Sequence, residues 1–307
     1  MYDSNVTGVV SQDEDTMTAS ETPASWLEGA IDVHVHTAPD LVDRAQDDVA
    51  LAREARADGV SNVVVKSHTL PTVSRVAGVN RAIGEPVLSG GITLNGTVGG
   101  INPDAVEAAL ELGAAIVWLP TLWAANHAER IRDAGETHFV GQRVPDEDEE
   151  LVVARNGRVT PMTRTVIDLV AEYNAVLATG HISPAEIEAV VDACAEAGVT
   201  PLVNHPFFHV TDLPIARQVD LARCGAVMEY CAYAIESTPE HTVERVARAL
   251  EQIGPERCVL ATDYGQAHNP PVPGLADFAE AVHEAGVPAD DVRRCLTKTP
   301  GRLLNRC

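Results

Sequence analysis

The chain has 307 residues and carries 45 Asp and Glu against 22 Lys and Arg, a formal net charge of −23 at pH 7. This excess of negative charge argues against nucleic acid or an anionic membrane as a partner, because both would repel it. No stretch approaches the roughly 20 consecutive apolar residues of a membrane-spanning helix, and the first residues lack the basic and apolar segments of a secretion signal. We therefore expect a cytoplasmic protein.

The choice of charged residues indicates an environment. Lys66 and Lys298 are the two lysines, and every other basic residue is arginine. With abundant Ala, Val, Asp and Glu, this bias predicts a halophilic protein whose dense carboxylates maintain solubility and whose self-repulsion is relieved by salt. Six cysteines without a C-x-x-C pair are predicted to be small reduced core residues.

Taken in order, the chain begins with a polar, acidic stretch and continues as one repeated theme. Residues 1–27 are predicted to be a disordered leader, and residues 28–307 a single domain. In that domain a short apolar run is followed by a polar loop, an amphipathic stretch and a helix-stop residue. Eight strands are predicted, over 31–36, 62–66, 87–92, 115–119, 175–179, 201–204, 226–230 and 258–262.

The segments between the strands have helical signals. Ser183 is predicted to cap a helix with Pro184 at its first position, and the last helix is predicted over 289–304. The predicted stop residues are Gly59, Gly84, Gly113, Asn174, Gly198, Gly225 and Gly254. Strands that are apolar throughout and alternate with helices indicate a parallel sheet covered on its outer face. Eight such units, with no G-x-G-x-x-G after the first strand, favour an α/β fold of the (β/α)8 TIM barrel type over an open doubly wound sheet.

One connection is much longer than the others. Residues 122–162, between the fourth and fifth strands, form a predicted insertion in which Asn156-Gly157 is typical of a two-residue hairpin turn. An insertion at the carboxyl end of a barrel strand is expected over the site, as a lid or a subunit contact. A surface ornament without a role is the alternative, and both remain open.

Histidines and an aspartate follow the predicted strands. His34 and His36 lie two apart on the first strand and so point to the same side, where both can bind one metal ion. His181, His205 and Asp263 each follow a later strand, and Lys66 ends the second. Because the carboxyl ends of all barrel strands meet at one face, these side chains are expected to converge there.

These motifs resemble the metal-dependent amidohydrolase superfamily over about residues 30–305. The matching segments are Asp32-Val-His-Val-His-Thr, Thr179-Gly-His-Ile-Ser, Val203-Asn-His-Pro and Ala261-Thr-Asp-Tyr-Gly. The resemblance implies metal ligation by His34, His36, His181 and Asp263, with His205 as a further ligand or as the group that orients the attacking water. It also implies that Asp263 accepts a proton from that water. Imidazole and carboxylate donors suit one Zn²⁺ ion, with other divalent ions as alternatives.

The chain departs from the binuclear members of that superfamily at the fourth strand. Their bridging lysine or glutamate is missing from Ile116-Val-Trp-Leu-Pro-Thr121, so a single metal is expected. Lys66 is predicted to be a catalytic residue, by proton transfer, by binding a substrate carboxylate or phosphate, or as a carbamate that bridges a second metal. A structural salt bridge to Glu229 is the alternative.

Other residues are assigned lesser roles. Arg44 and His68 are predicted to bind substrate, and Trp118 to pack in the core. The six remaining histidines are expected at the surface or in loops: His127, His138, His209, His241, His268 and His283.

The function expected from these features is hydrolysis of a C–N or C–O bond in a small polar molecule by a metal-activated water. A metal-dependent decarboxylase or lyase on the same barrel is an alternative. A PHP-type phosphoesterase ranks lower, because Lys66-Ser-His68 stands where that family has an Asp-His pair. A binding protein without catalysis ranks lowest, and homo-oligomerisation is left open.

Overall fold

The computed structural model describes residues 25–238, 240 and 242–306. The predicted disordered leader, residues 1–27, lies outside these residues up to position 24. The predictions for His241 and Cys307 also fall outside the described residues. Twelve strands are described: β1 (Ile31–His36), β2 (Asn62–Lys66), β3 (Leu88–Thr93), β4 (Ile116–Trp118), β5 (His138–Phe139), β6 (Gln142–Arg143), β7 (Ala154–Arg155), β8 (Arg158–Val159), β9 (Val176–Ala178), β10 (Pro201–Val203), β11 (Val227–Cys231) and β12 (Cys258–Ala261).

Eight of these strands form one parallel sheet in the order β1-β2-β3-β4-β9-β10-β11-β12. The first and last strands are joined at their carboxyl ends, where the Asp263 amide donates to the His34 carbonyl at 2.9 Å and the His36 amide donates to the Tyr264 carbonyl at 2.8 Å. The sheet therefore closes on itself at the end where the candidate ligands lie, and the predicted (β/α)8 barrel is confirmed.

Helices alternate with the barrel strands and cover their outer face. They are α1 (Asp48–Ala57), α2 (Val73–Ile83), α3 (Pro103–Glu111), α4 (Ala125–Asp133), α5 (Pro161–Glu172), α6 (Pro184–Ala197), α7 (Ile215–Arg223), α8 (Ala232–Glu236), α9 (Val243–Ile253), α10 (Pro271–Glu284), α11 (Ala289–Leu296) and α12 (Lys298–Leu303). Among these described helices, none has the length and apolar character that a membrane crossing requires.

The local helix signals are borne out by the backbone. Ser183 caps α6 in a reciprocal capping box with Glu186, and Pro184 begins the helix. All seven predicted stop residues have positive φ, which ends a helix. The prediction of a single last helix was wrong, because this segment is divided into α11 and α12. Pro300 cannot donate to the carbonyl four residues earlier and its ring clashes with that carbonyl, so α11 ends at Leu296.

Two apolar clusters occupy the two sides of the sheet. The interior of the barrel contains Val64, Ile116 and Trp118. The predicted core role of Trp118 is borne out by its complete burial. Val35 packs in the larger cluster between sheet and helices. This is the outward position expected for a residue between two histidines that face the barrel interior.

The free cysteines correct one expectation. Cys194, Cys231, Cys258 and Cys295 are buried, whereas Cys224 is exposed. Cys224 immediately follows the last turn of α7, at the edge of the helix layer, and so does not reach the core.

The long connection between β4 and β9 contains α4 and two antiparallel hairpins. In the hairpin of β7 and β8 the turn residues are Asn156 and Gly157, with φ of 53° and 72°. The hairpin of β5 and β6 carries no such sequence signal. Its turn is formed by Val140 and Gly141, also with positive φ, although a β-branched residue rarely adopts this conformation.

Candidate metal centre

The centre of the site is a contact between β1 and Asp263, which lies two residues after the end of β12. Asp263 Oδ1 lies 3.0 Å from His34 Nε2 and 3.1 Å from His36 Nε2. Asp263 has a φ of 53° and His205 a φ of 27°, a left-handed backbone that residues other than glycine rarely adopt. Such conformations concentrate at functional sites, where the surrounding structure holds them.

The electrostatics of this contact follow from burial and from the paired charges. Burial alone would lower the pKa of His34, but Asp263 and Glu229 beside it raise that pKa to about 9. Burial would raise the pKa of Asp263, but the His34 and His36 imidazoles hold it well below its usual range. Burial lowers the pKa of His36 to about 3. Asp263 is thus an ionised carboxylate between a neutral and a charged imidazole.

Lys66 ends β2 inside the barrel mouth and is 1% exposed. Its Nζ lies 3.0 Å from His34 Nε2 and 5.6 Å from the centroid of the Trp118 ring. Burial lowers its pKa below the usual value. Glu229, considered above as its salt-bridge partner, instead places Oε1 at 3.1 Å from His34 Nδ1.

His181 and His205 complete a continuous group of imidazole rings. The His205 ring centroid lies 5.9 Å from that of His34 and 5.0 Å from that of His181. Burial lowers the pKa of His205 to about 4 and that of His181 well below its usual range, so both are neutral. Neither nitrogen of His205 has a hydrogen-bond partner among the described residues, although the side chain is buried.

The predicted substrate-binding residues lie at the same mouth. The His68 ring stacks on the His36 ring at 4.8 Å between centroids, and its Nδ1 lies 2.9 Å from Thr121 Oγ1. Arg44 forms an ion pair with Asp40, with Nη2 at 2.6 Å from Oδ2. The structure therefore brings together His34, His36, Lys66, His68, His181, His205 and Asp263, with Arg44 beside them.

A cavity of about 260 Å³ opens onto this group. Its polar lining is formed by His36, Asp43, Arg44, Lys66, His68, His181, Asp263, Gln266 and His268. Its other walls are Val42, Phe139, Val140, Phe208, Tyr233 and Ala267. Phe139 and Val140 belong to the long insertion, so this segment borders the cavity. That it opens and closes as a lid stays a prediction.

A larger groove of about 800 Å³ lies between α4 and the start of α6. Glu129, Glu147 and Glu150 are among its lining residues, and none of the histidines is. The smaller cavity is therefore the one in which a metal ion and a substrate would meet.

Three residues near the ligands were missed or misjudged from the sequence. His127, expected at the surface, is 1% exposed, and its Nδ1 lies 2.8 Å from His181 Nδ1. Glu229 is fully buried against His34. Cys231 places its Sγ 4.0 Å from His34 Nδ1. Glu229 and Cys231 have a weak signal, since Glu229 is a charged residue within the apolar strand β11 and Cys231 ends that strand. His127 has none, because its burial depends on how α4 packs.

The donor set fits a divalent metal ion. Donor atoms of His34, Cys231 and Asp263 lie within 4.8 Å of one another, and the His36 and His205 rings are adjacent. Buried imidazole nitrogens are nearly always bonded, so the two free nitrogens of His205 indicate a missing ligand. Neutral imidazoles and a carboxylate are the donors that Zn²⁺ prefers in enzyme sites.

Solved structures resemble the whole barrel. An amidohydrolase from Pseudomonas aeruginosa is 12% identical, with a TM-score of 0.59 over 92% of this chain and 97% of that one. A probable 2-pyrone-4,6-dicarboxylic acid hydrolase from Acinetobacter baumannii is 11% identical, with a TM-score of 0.54 over 90% and 99%. A 2,6-dihydroxybenzoate decarboxylase from Rhizobium is 13% identical, with a TM-score of 0.52 over 91% and 99%.

At such identities the likeness is one of fold, and it shows that the chain shares the barrel fold of these structures. The chain belongs to the family described as "Family of unknown function (DUF6282)", which matches residues 29–229. No curated protein shows a significant match to the chain.

Proposed function

We propose that this protein is a metal-dependent hydrolase that cleaves a C–N or C–O bond of a small anionic substrate in the 260 Å³ cavity. The observation that carries the proposal is the convergence of His34, His36 and Asp263 within about 3 Å contacts at the mouth of the barrel. The proposed ligands of one Zn²⁺ ion are these three with His181 and His205. The bound ion would lower the pKa of a water toward about 7 and polarise the scissile carbonyl.

The remaining steps are assigned to side chains. Asp263 is ionised at neutral pH, because the neighbouring imidazoles lower its pKa, so one of its oxygens can accept the proton of the attacking water. Both nitrogens of His205 lack a hydrogen-bond partner among the described residues, which supports a role for His205 in binding the ion or in orienting that water.

The anionic substrate is inferred from the charge of the cavity lining. Lys66, Arg44 and His68 are among the residues that line the cavity, in a protein with a net charge of −23. Cationic groups held in a confined site attract and orient carboxylates and phosphates. We therefore propose that Lys66 and Arg44 bind the substrate anion and that His68 supports this end of the pocket.

A decarboxylase is the second candidate. Phe139, Val140 and Phe208 line the same cavity as the basic groups, and their apolar surface suits a planar or aromatic carboxylate. The fold likeness to the 2,6-dihydroxybenzoate decarboxylase is consistent with such a substrate but does not assign it. In this interpretation the same residues would hold the ion, which would supply stabilisation of the charge that develops when the carboxylate is lost.

Substrate panels can separate these candidates. Zn²⁺-loaded protein is incubated with small carboxylate-bearing amides, esters and lactones and with aromatic carboxylic acids, and new acid groups and released CO2 are measured. Hydrolysis that chelation or Asp263→Asn abolishes supports the first proposal, and CO2 release with the same dependence supports the second. If Asp263→Asn protein cleaves esters and amides as well as wild type, Asp263 is neither a metal ligand nor the acceptor of the water proton.

Matched substrates test the role of the basic groups. Replacing the substrate carboxylate by a neutral amide should raise KM for the wild-type protein, and raise it less for Arg44→Gln, in which only Lys66 of the two proposed anion-binding residues remains. Equal KM values for charged and neutral substrates in the wild-type protein would contradict anion recognition.

A further inference from the structure

The histidine on α4 contacts the candidate ligand that follows β9. His127 Nδ1 lies 2.8 Å from His181 Nδ1, and the two rings stack at 4.7 Å between centroids. The neighbouring Asn126 donates from Nδ2 to the His181 carbonyl at 3.1 Å. The His181 amide donates to the Pro120 carbonyl at 3.0 Å. His181 is therefore held through its backbone and its ring by the segment that follows β4.

The contact between the two rings sets where His181 carries its hydrogen. At 2.8 Å one Nδ1 must donate to the other, because two bare nitrogens would repel each other. His181 can bind a metal ion through Nε2 only if Nε2 is free of hydrogen, so its hydrogen must be on Nδ1. In that tautomer His181 Nδ1 donates to His127 Nδ1, and His181 Nε2 is left for the cavity.

His127 also connects this ligand to the insertion. The Phe139 ring, in the hairpin of β5 and β6, makes an edge-to-face contact with the His127 ring, with 4.9 Å between centroids and an interplanar angle of 71°. Phe139 is itself a wall of the cavity. One line of contacts therefore runs from the substrate space through Phe139 and His127 to His181.

We propose that His127 is a positioning residue, which accepts the Nδ1 hydrogen of His181 and thereby holds His181 in the tautomer and orientation that bind the metal ion. This inference rests on the proposed function in that it takes His181 as a ligand. Groups that orient metal-bound imidazoles in this way commonly change metal affinity by about 10–100-fold when they are lost. The insertion would then be part of the metal centre rather than an ornament on the barrel.

Two substitutions separate the hydrogen bond from simple packing. His127→Asn places an amide oxygen near the position of Nδ1 and keeps an acceptor, whereas His127→Phe keeps a ring against Phe139 but offers no acceptor. Zn²⁺ affinity of the full chain is measured by competition with a chromophoric chelator, and folding is verified by thermal unfolding of the metal-free protein. His138→Phe, at an exposed histidine of the same insertion, is the matched control.

The expected result is about a 10–100-fold loss of Zn²⁺ affinity in His127→Phe and affinity close to wild type in His127→Asn and His138→Phe. A folded His127→Phe protein that binds Zn²⁺ as tightly as wild type would overturn the proposal. If His127→Phe does not fold, His127→Asn alone tests the proposal. A folded His127→Asn protein that loses about 10–100-fold in Zn²⁺ affinity would refute the acceptor role.

A second measurement needs no metal. Proton–nitrogen correlation spectra of wild-type protein with ¹⁵N-labelled histidine report the tautomer of each ring, and His181 is expected to carry its hydrogen on Nδ1. Hydrogen on Nε2 would overturn the inference. Wild-type protein that binds no Zn²⁺ would refute the proposed function, while the spectrum would still decide whether His127 fixes the His181 tautomer.

Discussion

Removal of Glu229 should destabilise the barrel by several kcal/mol, although this residue lies outside the set of predicted ligands. Glu229 is fully buried; its Oε1 lies 3.1 Å from His34 Nδ1, and its Oε2 accepts a hydrogen bond from Asn204 Nδ2. Glu229→Ala leaves two buried donors without partners, each at about 1–3 kcal/mol, hence about 2–6 kcal/mol together. Loss of one member of a buried ion pair, at about 3–5 kcal/mol, falls in the same range.

Glu229→Gln should cost less, for a reason visible in the structure. The glutamine oxygen can still accept from His34, but its amide nitrogen would face Asn204 Nδ2, donor against donor. Asn204 cannot turn over to relieve this, because its Oδ1 accepts from the Gly180 amide at 2.7 Å. One unsatisfied donor remains, so we expect a loss of about 1–3 kcal/mol.

Urea unfolding of the metal-free protein at pH 7 measures both losses. Glu107→Gln, on the exposed face of α3, is the control and should stay within about 0.5 kcal/mol of wild type. A Glu229→Ala protein less than about 1 kcal/mol below wild type would refute the reasoning, since both donors would then have found other partners.

Three further predictions concern the barrel seam, pH and salt. Gly265→Ala should lose about 2–6 kcal/mol of unfolding free energy, because Gly265 has a φ of 127° and a Cβ there would lie 1.8 Å from the His36 carbonyl oxygen. The control Gly286→Ala also has positive φ but meets no atom near its Cβ, so it should lose only about 1–3 kcal/mol. Equal losses would contradict the clash. Apparent Zn²⁺ affinity should rise up to about tenfold per pH unit between pH 6 and 8, because the metal must displace the proton of His34, whose pKa is raised to about 9. The affinity is measured by competition with a chelator, and a constant Zn²⁺ affinity over that pH range would contradict the prediction. Thermal unfolding should move to higher temperature between 0.1 M and 2 M KCl, because salt screens a net charge of −23; an unchanged or lower Tm would refute the halophilic interpretation.

Much of the fold followed from local patterns. Apolar runs that alternate with capped helices defined the eight strands, and the order of the strands follows once the sheet closes. The meeting of His34 with Asp263 follows as well, since any residue directly after a barrel strand is delivered to the same rim. Such positions depend on chain order, and a sequence displays chain order directly.

The contacts around those residues depend instead on how separate helices and loops pack against the barrel. His127 is hidden because α4 lies in the insertion and packs on the His181 loop, a contact between segments with no shared pattern. The hairpin at Val140 was missed because its turn contradicts the local preference of a β-branched residue, so it must be held by tertiary packing. Gly141 supports this, since a Cβ at that position would lie 3.0 Å from the carbonyl oxygen of Leu41, in the loop after β1.

Metal analysis of the purified protein tests the central claim most directly. Equivalents of metal per chain are measured for wild type and for His34→Ala, with His283→Ala, on the outside of the barrel, as the control. The account predicts about one equivalent in wild type and in the control and a loss of it in His34→Ala. Two equivalents would assign Lys66 as a bridging carbamate, and three would favour the phosphoesterase alternative. Wild-type protein that binds no divalent metal, or a folded His34→Ala protein that retains it, would contradict the account.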